Sequence, residues 1–184
     1  DVKLQGNWGE MVLERVLEES GLRRDHEYFL QEARRSGEGE LKRPDALIRM
    51  PDEKDVVVDA KVSLLAYERA IAADNDEDRA KAMSEYLLSL RAHVKRLADQ
   101  DYDQVKDLRS LDFVLMFLPI ESAFTLAMEQ DHRLFSEAFD KRIVIVSPTT
   151  LMMTLRIIHN VWRYEKQSRN AEEIARRGGA LYDK

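Results

Sequence analysis

The chain has 184 residues, 44% of them apolar and 35% charged, with seven Gly, four Pro and no Cys. That balance indicates one globular domain with a helical lean and excludes a disordered or fibrous chain, a disulfide scaffold and any cysteine-based zinc site. The net charge of −6 excludes a generic nucleic-acid coat, although residues 141–184 hold nine Lys/Arg against four Asp/Glu and so can present a local basic face.

Gly6 to Ser20 reads as a helix, with Trp8, Met11, Val12, Leu13, Val16 and Leu17 at helical spacing and Gly21 as its stop. His26 to Arg34 reads as a first strand followed by a polar Ser36-Gly37-Glu38-Gly39 turn. Arg43 to Met50 is a second strand, Pro51 to Lys54 a turn, and Asp55 to Val62 a third strand. From Leu64 to Ala98 the period turns helical, with a break near Asp74-Asn75-Asp76. Asp112 to Pro119 is an apolar run of the kind that forms a strand buried on both faces. Glu121 to Asp140 reads as helix and Arg142 to Ser147 as another buried strand. Ser147-Pro148-Thr149 caps a helix to about Ser168, and a last helix covers Ala171 to Tyr182. The order predicts a single α/β domain over residues 1–184, with a mixed central sheet of about five strands flanked by helices. No apolar run reaches the roughly 20 residues that span a bilayer, and none resembles a signal peptide, so the expected compartment is the cytoplasm. Beginning at Asp1 in a helical pattern, the chain reads as an excised piece.

Two short motifs carry the chemistry. Alternation along a strand puts Val57, Asp59 and Lys61 on one face, and Asp45 shares a face with Leu47 on the preceding strand. With a tight turn between the strands, an even register sets Asp45 opposite Asp59 or Lys61, where Cβ atoms lie roughly 4.5–5.5 Å apart. Two facing carboxylates repel, and each costs several kcal/mol to desolvate unless something positive lies between them. Mg²⁺ meets that need, since it takes oxygen ligands, usually one or two carboxylates completed by water and phosphate. Lys61 would then orient a water or stabilise charge on phosphorus. Glu10, on the row of Leu13 and Leu17, is the candidate third carboxylate. A plainer arrangement uses the same residues: Asp45 and Lys61 as an ion pair, and Asp59 as a helix cap.

Several segments extend this pattern: Gly6-Asn7-Trp8-Gly9-Glu10, Arg43-Pro44-Asp45-Ala46, Val58-Asp59-Ala60-Lys61-Val62-Ser63-Leu64, Asp112 to Pro119 with Glu121, Ser147-Pro148-Thr149-Thr150-Leu151, and Trp162 to Gln167. The site residues look like the PD-(D/E)xK nuclease superfamily, and nearly the whole chain resembles the RmuC family of bacterial DNA recombination proteins. The resemblance implies a restriction-endonuclease-like αβββαβ core with extra C-terminal helices. It implies catalytic positions at Glu10, Asp45, Asp59 and Lys61, and Mg²⁺ (or Mn²⁺) bound by Asp45, Asp59, the Ala60 carbonyl and Glu10. It also implies a role in DNA recombination that limits rearrangements at inverted repeats. Family members usually carry an N-terminal hydrophobic segment and coiled coil. These would tether the full-length protein to a membrane and join copies into a homo-oligomer, while this domain itself makes no membrane contact.

On the helix after Ser147, the residues Arg156, His159, Arg163, Lys166, Gln167 and Asn170 fall within an arc of about 100° that no acid interrupts. Leu151, Leu155, Ile158 and Trp162 form the adjacent packing stripe. Such an arc suits phosphate contacts on branched, hairpin or single-stranded DNA, or else is a solvated face. The helix N-terminus at Ser147-Pro148-Thr149 is a second phosphate seat. His93, Lys95 and Arg96 share a helix with Asp99 and read as ordinary exposed surface. Met50, Met116, Met128, Met152 and Met153 read as core filler, and Tyr67 and Tyr164 as base-stacking or buried tyrosines. The function expected is a Mg²⁺-dependent deoxyribonuclease domain; the alternative is a non-catalytic module that recognises DNA structure on a nuclease scaffold.

Overall fold

A computed structural model describes residues 2–30, 44–100, 102 and 110–182. In chain order the elements are α1 (Val2–Glu19), β1 (Tyr28–Leu30), β2 (Ala46–Arg49), β3 (Lys54–Asp59), α2 (Leu65–Ala72), α3 (Asp76–Ala98), β4 (Ser110–Phe117), α4 (Glu121–Gln130), α5 (His132–Asp140), β5 (Ile143–Val146) and α6 (Pro148–Tyr182). The first-strand reading beyond residue 30, the Ser36–Gly39 turn and Arg43 lie outside the described residues.

The five strands form one sheet in the order β1-β2-β3-β4-β5. Pairing is antiparallel from β1 to β3 and parallel from β3 to β5. Central β3 is a run of buried side chains from Asp55 to Val58, as a strand covered on both faces requires. Alternation splits its side chains between two cores. Val57 joins Tyr86, Leu90, Val94 and Leu97 of α3 and Ala123 and Ala127 of α4. Val56 and Val58 join Leu13 and Leu17 of α1 with Leu151, Leu155 and Ile158 of α6. The fold is therefore α/β, with helices on both faces of a mixed five-stranded sheet.

The hairpin between β2 and β3 closes through the Met50 amide donating to the Lys54 carbonyl at 2.9 Å, and Glu53 turns the chain at φ +62°. Gly21, at φ +92°, ends the first helix where a side chain would be strained, and it packs against the His159 ring. The α2–α3 break falls where Asn75 caps α3 by accepting from the Asp78 amide at 2.8 Å.

Three expectations need correction. Glu121 to Asp140 is two helices, because Asp131 stops α4 and caps α5 by accepting from the Leu134 amide. The C-terminal region is one helix, continuous through Ser168 to Asn170, with Arg169 pairing back to Glu165 at 2.9 Å. Met116 is core, but Met128 and Met153 are exposed. Tyr67 is buried, its hydroxyl on Ser122 Oγ at 2.7 Å, whereas Tyr164 is exposed. Among the described residues no helix is long and apolar enough to cross a membrane.

Candidate functional site

The site lies at the C-terminal end of β3, the strand where pairing changes from antiparallel to parallel. The β2–β3 register pairs Ala46 with Val58, and one further step sets Asp45 opposite Asp59. The Asp45 side chain is only 4% exposed and both its oxygens are engaged. Oδ2 accepts from the Ala60 amide at 2.8 Å, and Oδ1 holds the Lys61 ammonium at 2.9 Å. Burial alone would lower the Lys61 pKa, but the hydrogen bond and charge of Asp45, backed by Asp59 and Glu10, raise it above the ordinary lysine value.

Asp59 Oδ1 accepts from the Lys61 amide at 3.3 Å and meets His93 Nε2 at 2.8 Å. Burial pushes the Asp59 carboxyl upward, yet the His93 hydrogen bond and the Lys61 amide and ammonium outweigh it, leaving its pKa below the usual value. Glu10, exposed on α1, feels the same cluster. Partial burial and the Asp45 charge raise its pKa against the opposing pull of Lys61. A Cβ built at Gly9 would lie 3.5 Å from the Ala60 carbonyl oxygen, so α1 crosses close over the end of β3. Glu10, Asp45, Asp59 and Lys61, expected as a site from sequence, thus share one electrostatic neighbourhood.

Three further residues belong to it that sequence reasoning passed over. His93 is buried, not surface, and faces Asp59 from α3. Arg96, one helical turn on, hydrogen-bonds His93 Nδ1. Arginine can only donate, so Nδ1 accepts and the ring proton sits on Nε2, aimed at Asp59. Tyr102 is buried with its hydroxyl unpaired among the described residues. Burial, then the charges of Asp59 and Asp45, raise the Tyr102 pKa strongly against Arg96. A signal for His93 was present: Tyr86, Leu90, His93 and Leu97 recur at helical spacing on the buried row of α3.

The donor set fits a hard cation with an open shell. All candidate ligands are oxygens, and Asp59 Oδ2 has no partner among the described residues. Asp45 Oδ1 already holds a positive group in the Lys61 ammonium. It does not form a closed cage: among the described residues no three His, Asp or Glu side chains converge to hold an ion. Bound water and phosphate would have to complete the shell.

The basic arc of α6 lies elsewhere. Trp162 Nε1 donates to the Arg49 carbonyl at 2.9 Å, at the end of β2 remote from Asp45. Arg156 donates to the Glu19 carbonyl at 3.1 Å, His159 lies against Gly21, and Lys166 pairs with Glu27 at 3.4 Å. These contacts clasp α6 to the segment joining α1 and β1. Arg163, Gln167 and Asn170 remain exposed. At 1.5 Å per residue, Arg163 is about 22 Å along the helix from Pro148. The arc is therefore not a wall of the carboxylate pocket. Nor is the α6 N-terminus an open phosphate seat, since the Thr149 amide donates to Glu121 Oε2 at 3.2 Å. Burial would raise the Glu121 pKa, and the Ser147 and Thr149 hydrogen bonds bring it below the usual value.

Comparison with known proteins gives a consistent picture. The chain is 56% identical over 182 residues to a DNA recombination protein RmuC homolog of Pseudomonas aeruginosa, covering 99% of this chain and 40% of that one. It is 50% identical over 184 residues to the DNA recombination protein RmuC of Escherichia coli K12, covering 100% and 39%. Against the Vibrio cholerae homolog it is 49% identical, covering 100% and 36%. The chain thus spans about two fifths of the length of these curated relatives. No solved structure matches it. The model of the RmuC family matches residues 1–184, from one end of the chain to the other, and the chain belongs to that family.

Proposed function

We propose that this chain is the hydrolytic domain of a DNA recombination protein, a divalent-cation-dependent nuclease acting on the branched, hairpin or single-stranded DNA of inverted repeats. One observation carries the reading: Asp45, Asp59 and Lys61 meet at the end of the central strand, with Glu10 at the rim. A hydrophobic core gains nothing from three acids beside one ammonium, whereas a phosphodiester site needs such a group. Asp45, Asp59, the Ala60 carbonyl and Glu10 would hold Mg²⁺ or Mn²⁺, which would polarise a phosphoryl oxygen and acidify a water. Lys61 exchanges Asp45 for a phosphate oxygen and offsets charge building on phosphorus. His93 keeps Asp59 in place while this happens.

DNA crosses from the site towards Arg163, Gln167 and Asn170. The arc lies towards the end of β2 remote from Asp45, so it contacts phosphates away from the scissile bond. RmuC relatives are named for recombination, which agrees with a DNA substrate. The test is incubation of the domain with hairpin, branched and single-stranded DNA plus Mn²⁺, beside Asp59→Ala and Lys61→Ala. Products are expected from the wild type alone. A wild type that binds these DNAs and cuts none would reject the hydrolytic reading.

A second reading keeps DNA binding without hydrolysis. The observation in its favour is that both Asp45 oxygens are already satisfied within the protein. It predicts salt-sensitive binding that Arg163→Glu with Lys166→Glu abolishes and Asp59→Ala leaves intact.

A further inference from the structure

Asp59 is tied down asymmetrically. Its Oδ1 receives two donors, the Nε2–H of His93 at 2.8 Å and the Lys61 amide at 3.3 Å, while Oδ2 has no partner among the described residues. Asp45 is similar, with Oδ2 on the Ala60 amide and only Oδ1, now on the Lys61 ammonium, able to exchange partners. Each carboxylate can therefore present a single oxygen. A small cation such as Mg²⁺ or Mn²⁺, with an octahedral shell completed by water, needs no more. Ca²⁺ takes six to eight oxygens and is often bound by both oxygens of one carboxylate.

We infer that His93, held by Arg96, is a positioning residue that makes this site select small octahedral cations over Ca²⁺ by denying Asp59 two-oxygen ligation. The inference rests on reading Asp45 and Asp59 as cation ligands. The mechanism is steric and directional. The His93 ring is buried, so it cannot swing away into solvent. The Arg96 guanidinium occupies Nδ1 as a donor, which keeps the ring proton on Nε2 and its bond on Oδ1. Residues that hold a ligand from behind in this way shift metal affinity by about 10–100-fold when altered. Here their loss should act unequally, because relieving Oδ1 of the shorter of its two bonds helps the larger ion more than the smaller.

Calorimetric titration of the DNA-free chain with Mn²⁺, Mg²⁺ and Ca²⁺ tests this without reference to cleavage. The wild type should prefer Mn²⁺ and Mg²⁺ to Ca²⁺. His93→Leu should narrow that preference by about tenfold. His93→Gln, which restores an N–H near the Nε2 position, should recover most of it, and Arg96→Leu should fall between. Arg96 is exposed on α3, so that variant carries the test if His93→Leu fails to fold. Nitrogen-15 spectra of the wild type should show His93 in the Nε2–H tautomer. A wild type that binds the ions, with the same ratio in folded His93→Leu or Arg96→Leu, overturns the inference alone. A wild type that binds no divalent cation overturns it together with the metal part of the nuclease reading.

Discussion

Replacing Lys61 with Met separates what the ammonium does for the fold from what it does for the site. Asp45 is almost completely buried, while the Lys61 side chain is 50% exposed and reaches it at 2.9 Å. Removing one partner of a fully buried ion pair costs about 3–5 kcal/mol. Here water can follow the lost ammonium to Asp45 Oδ1 and the Ala60 amide still holds Oδ2, so screening reduces the loss to about 1–2 kcal/mol. For a chain of this size that is a fall in Tm of roughly 2–8 °C. Cation affinity should move the other way. The ammonium competes for Asp45 Oδ1, so Lys61→Met should bind Mn²⁺ about tenfold more tightly, equivalent to about 1.4 kcal/mol, while cutting no DNA. The pH dependence has a definite sign. Because the folded Lys61 pKa is raised, its contribution is complete below the unfolded value of about 10.4 and disappears as pH rises through the higher folded value. The stability gap between wild type and variant should therefore close only in strong alkali. Urea unfolding followed by circular dichroism, with Mn²⁺ calorimetry on the same samples, measures both quantities. A variant as stable as wild type, with unchanged or weaker Mn²⁺ binding, would refute the assignment of Lys61 as the occupant of a cation position.

Tyr102→Phe removes a buried hydroxyl that has no partner among the described residues, so it should raise stability by about 1 kcal/mol, or Tm by roughly 2–4 °C; a lower Tm would mean the hydroxyl is bonded in solution. Asp59→Asn should flatten the acid side of the stability profile. The wild-type carboxylate, its pKa lowered, stabilises the fold above the unfolded value of about 3.9 and loses that contribution as pH falls through the lower folded value. Urea midpoints between pH 2 and 7 that run parallel in the two proteins would contradict this. Gly9→Ala should be neutral or stabilising by up to ~1 kcal/mol, since the added Cβ meets only ordinary contacts at 3.5 and 3.6 Å. Gly9→Leu should cost about 1–3 kcal/mol by levering α1 off the end of β3, and equal melting of the two variants would show that α1 does not pack there.

The site's near half was legible because strand alternation is rigid. Asp45, Asp59 and Lys61 are fixed relative to one another by period two and a short turn, and the register Ala46 to Val58 follows from both. His93 was missed for a different reason. Its contact with Asp59 spans 34 positions, and nothing local on α3 announces it. The neighbours Lys95, Arg96 and Asp99 suggest a solvated surface, whereas the row Tyr86, Leu90, His93, Leu97 carries the true orientation. Arg96 belongs to both patterns, exposed in its own right yet bonded inward. At α6, the Ser168–Asn170 stretch looked like a break because those residues favour turns. No glycine or proline enforces one there, and the Glu165–Arg169 pair supports the helix across it. The opposite error occurred at Asp131, which caps α5 with one carboxylate oxygen while Arg91 reaches across from α3 to the other at 2.6 Å. The location of the α6 arc was also beyond reach, because a helical wheel gives direction around an axis and not position along the sheet.

The hairpin turn at Pro51 to Glu53 acts as a ruler for side chains that meet far from it. Five strand residues at about 3.3 Å each put the Lys54 end some 17 Å from Asp59. Point changes in that turn leave the spacing intact, and Glu53, already at φ +62°, even favours a Gly or Asn replacement. A single inserted or deleted residue is another matter. Unless a bulge absorbs it, the Asp59–Lys61 row rotates to the opposite side of the sheet, among Leu13 and Leu151, and Asp45 is left facing an apolar wall. In this fold a turn outside the candidate site therefore keeps the reading frame of the side chains within it.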